Sequence, residues 1–363
     1  MKGLIHKYRK NIIIIFAIAL MIYFYFGSKQ DLNLIMEHFK KIKLMYMILA
    51  FAIFNIYIFL EGLVLYLFSK FKILGIKFKD SYRLNLATQF FNSITPFATG
   101  GQPFQVYYLG TRGAKVSDAT CVAIMNFITY SISIVLFGIF AIFTRYDYFN
   151  QQTDYGYLLL IGFGMNIFIT LSTFVLAESK FIYNIIVNKI MLGLAKLNWL
   201  KRFKLEDKAN KFSNFIEEFH KELIILKKNK GLLFKTISLH MIRNLIFYFI
   251  PILIFIGLGL EVKGHVFNLL VTMMFIQMIM SYTPTPGATG GAEFAFVSLF
   301  AIFFKEDVLF VAMLLWRLIT YYLFILMGFL ATISLNYKKS LESRSVAKRR
   351  SRRRIKKESK TTI

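Results

Sequence analysis

The chain has 363 residues, 57% hydrophobic and 17% aromatic, with a mean hydropathy of +0.56 and a formal net charge of +26. Soluble domains are rarely so apolar, and several runs exceed what is needed to cross ~30 Å of hydrocarbon, so an ordinary soluble enzyme is excluded. The positive charge sits between and after the apolar runs, where it reports orientation before it reports a nucleic-acid partner, and the single cysteine, Cys121, rules out an intrachain disulfide framework.

Taken in order, a basic leader (Lys2, Lys7, Arg9, Lys10) precedes an apolar run over 12–26. No small-residue cleavage site follows Phe26, so this reads as an uncleaved first span. A second run covers 44–68 and is followed by Lys70, Lys72, Lys77, Lys79 and Arg83. Both basic flanks are assigned to the cytoplasm, which makes 28–43 an external loop. Residues 84–94 are too short to span comfortably and run into Pro and Gly, after which 104–109 leads to Arg112 and Lys115. Basic residues at both ends predict a hairpin that enters from the cytoplasm and returns there. Residues 119–143 then cross outward to a loop holding Arg145, Asp147 and Asp154, and 157–176 cross back.

Residues 178–231 carry twelve Lys/Arg against six Asp/Glu, with Leu192, Leu197, Leu200, Phe203, Phe212, Phe215, Ile216 and Phe219 at roughly helical spacing. That pattern predicts amphipathic helices on the cytoplasmic surface. Residues 232–257 cross outward, and 266–282 lead to a second interruption from which 294–304 lead away. Lys305-Glu306-Asp307 carries no positive excess, so this second hairpin is expected to enter from outside. Residues 308–335 return, and the tail from 337 holds twelve basic and two acidic residues, including RRSRRRIKK.

The two interruptions are copies. Residues 95–104 read TPFATGGQPF and 285–294 read TPGATGGAEF, identical at seven of ten positions at an offset of 190. Each breaks a helix inside apolar sequence, which a bilayer tolerates only where protein or a wet cavity satisfies the freed backbone groups. The prediction is an all-α polytopic membrane protein, six full spans plus two re-entrant or broken-helix hairpins, arranged as an inverted-topology repeat. The domain layout is a transmembrane unit over 1–336 with repeat halves near 44–143 and 232–335, the linker 178–231, and a basic tail over 337–363. Multi-pass insertion in a bacterial-type cell membrane with both termini cytoplasmic follows.

The paired motifs TPFATGGQP and PTPGATGGAEF, in an eight-segment apolar chain, resemble the transmembrane region of the lysylphosphatidylglycerol synthase (flippase-like) family over essentially everything before the basic tail. The resemblance implies movement of an aminoacylated phospholipid between leaflets. In that family a separate cytosolic domain, when present, transfers lysine from lysyl-tRNA to phosphatidylglycerol; this sequence ends about where such a domain begins, which argues against synthase activity.

Candidate site residues follow from the motifs. In the first copy Thr95, Pro96 and Thr99 shape the break, and Gly100, Gly101 and Gln102 open a short helix whose N–H groups suit a lipid phosphate. In the second, Thr285, Pro286, Thr289, Gly290 and Gly291 repeat the break and Glu293 replaces Pro103. An ionisable group in apolar sequence costs ~2.5–3.5 kcal/mol on insertion scales and faces a partner or a cavity. Glu293, with Glu61, is therefore expected either to hold a cationic amine or to pair structurally with Arg317 or Arg243. Glu61, Arg243 and Arg317 are intramembrane charges expected to face inward; Asn55, Asn92, Asn126, Asn244 and Gln277 either line the same wet path or bond between helices. His6, His38, His220, His240 and His265 lack metal-ligand spacing, and no nucleotide loop follows a strand, so no metal, cofactor or ATP chemistry is expected. The expected partners are a phospholipid substrate, anionic membrane lipid at the basic tail rather than tRNA, and a separate synthase or glycosyltransferase. Besides translocation, two roles stay open: the membrane part of a phosphatidylglycerol lysyltransferase, and a non-transporting scaffold for an envelope enzyme.

Overall fold

A computed structural model describes residues 32–335 apart from 74, 153–155 and 180–204. The first span, the basic tail, Asp154 and the first half of the amphipathic linker lie outside the described residues. Those described form eleven α-helices and no strand. In chain order they are α1 (Leu32–Lys40), α2 (Leu44–Lys72), α3 (Phe78–Ser93), α4 (Gly101–Thr111), α5 (Val116–Gln152) and α6 (Gly156–Glu178). Then come α7 (Leu205–Lys228), α8 (Lys230–Gly257), α9 (Val266–Tyr282), α10 (Gly291–Phe300) and α11 (Glu306–Leu335). Helices α2, α5, α8 and α11 are long and apolar enough to cross a membrane, and α6 and α9 carry shorter apolar stretches. A π turn interrupts α11 at Leu318–Tyr322.

The antiparallel pair α2 and α8 forms the spine. At one end the Lys43 N–H donates to the Gly257 carbonyl over 2.8 Å. At the other, Lys72 pairs with Glu222, and Phe68, Ile73 and Leu226 share a core. The two hairpins stand on opposite ends of this spine. The feet of α3 and α4 are at the Lys72 end, where Asp80 faces Arg112 at 4.0 Å and Ser117 donates to Glu218 at 3.1 Å. The feet of α9 and α10 are at the Lys43 end: His265 lies 5.6 Å from Phe303, Phe255 lies 4.7 Å from Phe304, and His38 pairs with Asp307 at 3.2 Å. The turns Pro96–Ala98 and Pro286–Ala288 meet between them, and Tyr321 donates from α11 to the Ser93 carbonyl at 3.2 Å.

Three expectations change in detail. Within the region expected as an external loop, residues 32–40 are helical, because Ile35 is buried and His38 has a carboxylate partner on α11. Helix α5 runs through Arg145 and Asp147 instead of ending at 143. Arg145 there donates to Asn268 Oδ1 at 2.7 Å and lies 4.7 Å from the Phe267 ring, contacts that an extra helical turn makes possible. In the linker, α7 packs Phe219, Leu223 and Leu226 into the core at the Lys72 end, so it is part of the bundle as well as basic.

Candidate functional site

Each break is built by local bonds before any ligand is considered. In the first, Thr95 Oγ1 donates to the Phe91 carbonyl at 2.8 Å and accepts the Gly100 N–H at 2.9 Å. Asn92 Oδ1 accepts the Gly101 N–H at 2.8 Å, so close that a Cβ on Gly101 would sit 2.2 Å from it. Thr99 Oγ1 donates to the Pro96 carbonyl at 2.9 Å. In the second, Thr289 makes the matching bond to Pro286 at 2.8 Å, and Thr285 donates to the Thr289 carbonyl at 2.6 Å. Glu293 Oε2 takes the Gly290 N–H at 2.7 Å, a carboxylate answering the helix's first donors. Both turns pass through left-handed backbone, at Phe97 and Ala98 in one copy and Gly287 and Ala288 in the other.

The N–H groups of Gly100, Gly101 and Gly290 are thus engaged within their own hairpins. A phosphate at these helix starts would have to displace Thr95, Asn92 or Glu293, which corrects the picture of free donors awaiting an anion. The carboxylates are engaged too. Glu293 Oε1 accepts from Arg317 Nε at 2.8 Å, and Arg317 also donates to the Gly287 and Ala288 carbonyls at 3.2 and 3.4 Å. Of the two partners expected for Glu293, Arg317 is the one it meets, and one side chain thereby ties α11, α10 and the second turn together.

Glu61 on α2 meets Arg243 on α8 at 2.9 Å. Its other bonds come from Asn85 at 3.1 Å and Gln89 at 2.5 Å, both on α3. Gln89 accepts from Asn92 at 3.2 Å, which leads directly to the first break. On the far side, Arg243 lies between the rings of Tyr57 and Tyr130, at 4.9 and 4.7 Å. It donates to Asn244 at 2.9 Å, and Asn244 donates to Ser133 at 2.9 Å. All four charged residues are at most 5% exposed. Charges buried this deeply persist only when paired and further hydrogen-bonded, as both pairs are.

Between the pairs lies a cavity of about 550 Å³, within the range of small-molecule sites. Its wall includes Glu61, Arg243 and Arg317, residues of both turns, and amides from four helices: Asn85, Gln89, Asn92, Gln105, Asn126 and Gln277. Exposed wall residues Phe97, Thr99 and Ser281 mark where it meets the surroundings. Of the motif residues singled out from sequence, Thr99, Gln102 and Thr285 line it. Thr95, Pro96, Gly100, Gly101, Pro286, Thr289, Gly290, Gly291 and Glu293 build the turns behind the wall. Asn55 bonds to the Phe51 carbonyl of its own helix instead of reaching the cavity. Tyr57, Asn85, Gln89, Tyr130, His240 and Tyr321 also line it and escaped motif reasoning. A polar stripe at Asn85, Thr88, Gln89 and Asn92, three and four residues apart, was the available signal. Among the described residues no group of three or more His, Cys, Asp and Glu side chains is placed to hold a metal.

Over residues 12–328 the chain matches the family described as the lysylphosphatidylglycerol synthase TM region. It belongs to that family. Within it, the chain is similar to a UPF0104 membrane protein of Archaeoglobus fulgidus, 28% identical over 336 residues that cover 90% of this chain and 95% of the relative. No solved structure matches. Both breaks and both ion pairs fall inside the matched span, so the cavity is assembled wholly from the family region.

Proposed function

We propose that this member of the lysylphosphatidylglycerol synthase transmembrane family moves a phospholipid, lysylphosphatidylglycerol or a relative, between leaflets. The observation that carries the reading is the meeting of two breaks, entering from opposite ends, at a polar cavity in otherwise apolar surroundings. A lipid headgroup needs a hydrated path across hydrocarbon while its chains need none, and broken helices at mid-depth are how membrane proteins make such paths. With each guanidinium already carrying a carboxylate, the wall is close to electrically balanced. A charged headgroup then enters by exchanging partners with Arg243 or Arg317 and leaves without a deep electrostatic trap. Thr99, Gln102 and Thr285 contact the headgroup; the Gly pairs and Glu293 set the turns that carry those contacts. Orientation follows the basic end: Lys70, Lys72, Lys77, Lys79 and Lys115 face the cytoplasm.

The test is a leaflet-asymmetry assay in vesicles holding the purified protein and fluorescent phosphatidylglycerol or lysylphosphatidylglycerol. Movement without added tRNA or nucleotide is the expected result, and it slows severalfold when Arg243 is replaced by Gln. The family description names a synthase, which favours one second reading: the membrane part of a phosphatidylglycerol lysyltransferase. Lysine transfer from charged tRNA by this chain alone, with no lipid movement, would establish that reading instead.

A further inference from the structure

The two breaks are near-copies in sequence, yet the structure holds them unequally. The second is clamped: Arg317 on α11 bonds Glu293 and the Gly287 and Ala288 carbonyls, and both Ala288 and Thr289 are buried. At the offset of 190 that aligns the breaks, the counterpart of Arg317 is Phe127 on α5, which carries no charge to bring to the first. In that first turn Pro96, Phe97, Ala98 and Thr99 are all exposed.

What ties the first turn down emerges from the last carbonyls of α3, which a helix cannot pair by itself. The Phe90 carbonyl accepts the Ile94 N–H at 3.2 Å, Phe91 accepts the Thr95 hydroxyl at 2.8 Å, and Asn92 accepts the Thr95 N–H at 3.4 Å. The Ser93 carbonyl is answered from outside the hairpin, by the Tyr321 hydroxyl at 3.2 Å. That phenol also bonds the Thr289 side chain, and its ring rests directly on Gly287. Tyr321 is therefore seated on the second break and reaches across to the first through one hydrogen bond. It stands in the π turn of α11, a geometry that is rare in helices and frequent at functional sites. Releasing the bond strands nothing. The phenol keeps Thr289, and Ser93, half-buried on the cavity wall, is open to water. Such a tie costs little to undo, whereas releasing Arg317 from Glu293 leaves an uncompensated buried charge on each side.

We infer that the tip of the first hairpin, residues 94–99, is the moving gate of the cavity, that the second break is its fixed post, and that Tyr321 is the releasable tie between them. The inference rests on the translocation reading for its purpose, but distances within the protein test it. Nitroxide labels on Ala98→Cys and Lys263→Cys report the first turn, and labels on Pro284→Cys and Lys115→Cys report the second. Pulsed electron resonance is recorded on full-length protein in lipid nanodiscs, where the buried Cys121 takes no label. The first pair shows a major and a minor distance, and the second pair shows one. Tyr321→Phe keeps the ring and raises the minor first-pair population about two- to tenfold, the range one hydrogen bond supports, without changing the second pair. Thr289→Val removes the partner the phenol falls back on and lowers that population, while Thr289→Ser leaves it unchanged. Shifts of opposite sign separate a tie from a merely structural contact, whose loss lowers the melting temperature in both variants and moves neither population. In vesicles, unlabelled Tyr321→Phe moves lipid at an altered rate with unaltered lipid affinity. One first-pair distance in every variant, or an equal response of both pairs, overturns the inference; should Tyr321→Phe not fold, Thr289→Val decides. Responsive distances without lipid movement would sink the translocation reading and leave the gate standing, and movement with unresponsive distances would do the reverse.

Discussion

Glu61 and Arg243 show why a charge inside the bundle is better described by its whole set of bonds than by its partner alone. The carboxylate takes three donors, from Arg243, Asn85 and Gln89, and the guanidinium also lies against two tyrosine faces and donates to Asn244. Removing one member strands the other. Arg243→Gln is expected to cost about 3–5 kcal/mol, the typical penalty for breaking a buried pair. The double variant Glu61→Gln/Arg243→Gln is expected to recover much of that, because neutral amides can bond to each other and to Gln89. Thermal unfolding of the purified variants in detergent checks both, and a double variant no more stable than the single one would show that the ionic form itself is required. From sequence, the depth of Glu61, Arg243 and Arg317 in apolar runs was enough to expect inward pairing. Which acid meets which base was not legible, because the pairs join residues 182 and 24 positions apart through packing that no local pattern encodes.

The breaks were legible as elements because Pro and Gly punctuate an apolar background, and because each occurs twice. Their internal bonding was not, since it depends on Asn92 and Thr95 folding back in one copy and on Glu293 in the other. The copies also differ in a way that only the backbone reveals. Position 287 is glycine at φ 61°, while its counterpart Phe97 adopts φ 52° with a side chain. A non-glycine residue in left-handed backbone costs about 1–2 kcal/mol, so Phe97→Gly is expected to stabilise the protein by about that much. Gly287→Ala is expected to do the opposite, since its Cβ would meet Tyr321 at 2.1 Å. Melting curves of the two variants side by side make the comparison; equal shifts would mean the turns are not held as described. If the strain at Phe97 serves motion of the turn at the cavity mouth, Phe97→Gly also changes the rate of lipid movement while leaving affinity unaltered.

At the scale of the molecule, opposed entry of the hairpins was the part of the architecture that charge distribution revealed best, through Arg112 and Lys115 at one foot and the balanced Lys305-Glu306-Asp307 at the other. Helix lengths were read less well: apolar runs stop where polarity starts, whereas α5 continues because Arg145 finds Asn268 and Phe267 beyond the apolar run. Sidedness has a direct check, because the native Cys121 is fully buried and leaves a silent background. Lys263→Cys is expected to react with an impermeant thiol reagent on intact cells, and Lys115→Cys only after permeabilisation; labelling of both from one side would remove the inverted arrangement. The π turn at Leu318–Tyr322 carries a separate consequence. A wide turn accommodates one surplus residue, and one residue of an α-helix is about 100° of rotation. Everything in α11 past Tyr322 is therefore dialled round relative to the Arg317 half, which aims Gly328 at Phe90 and the Leu86 carbonyl. Deleting a single residue there would restore a regular helix and swing that seam away from the first hairpin, so the helix that grips one break is phased, by one amino acid, to cradle the other.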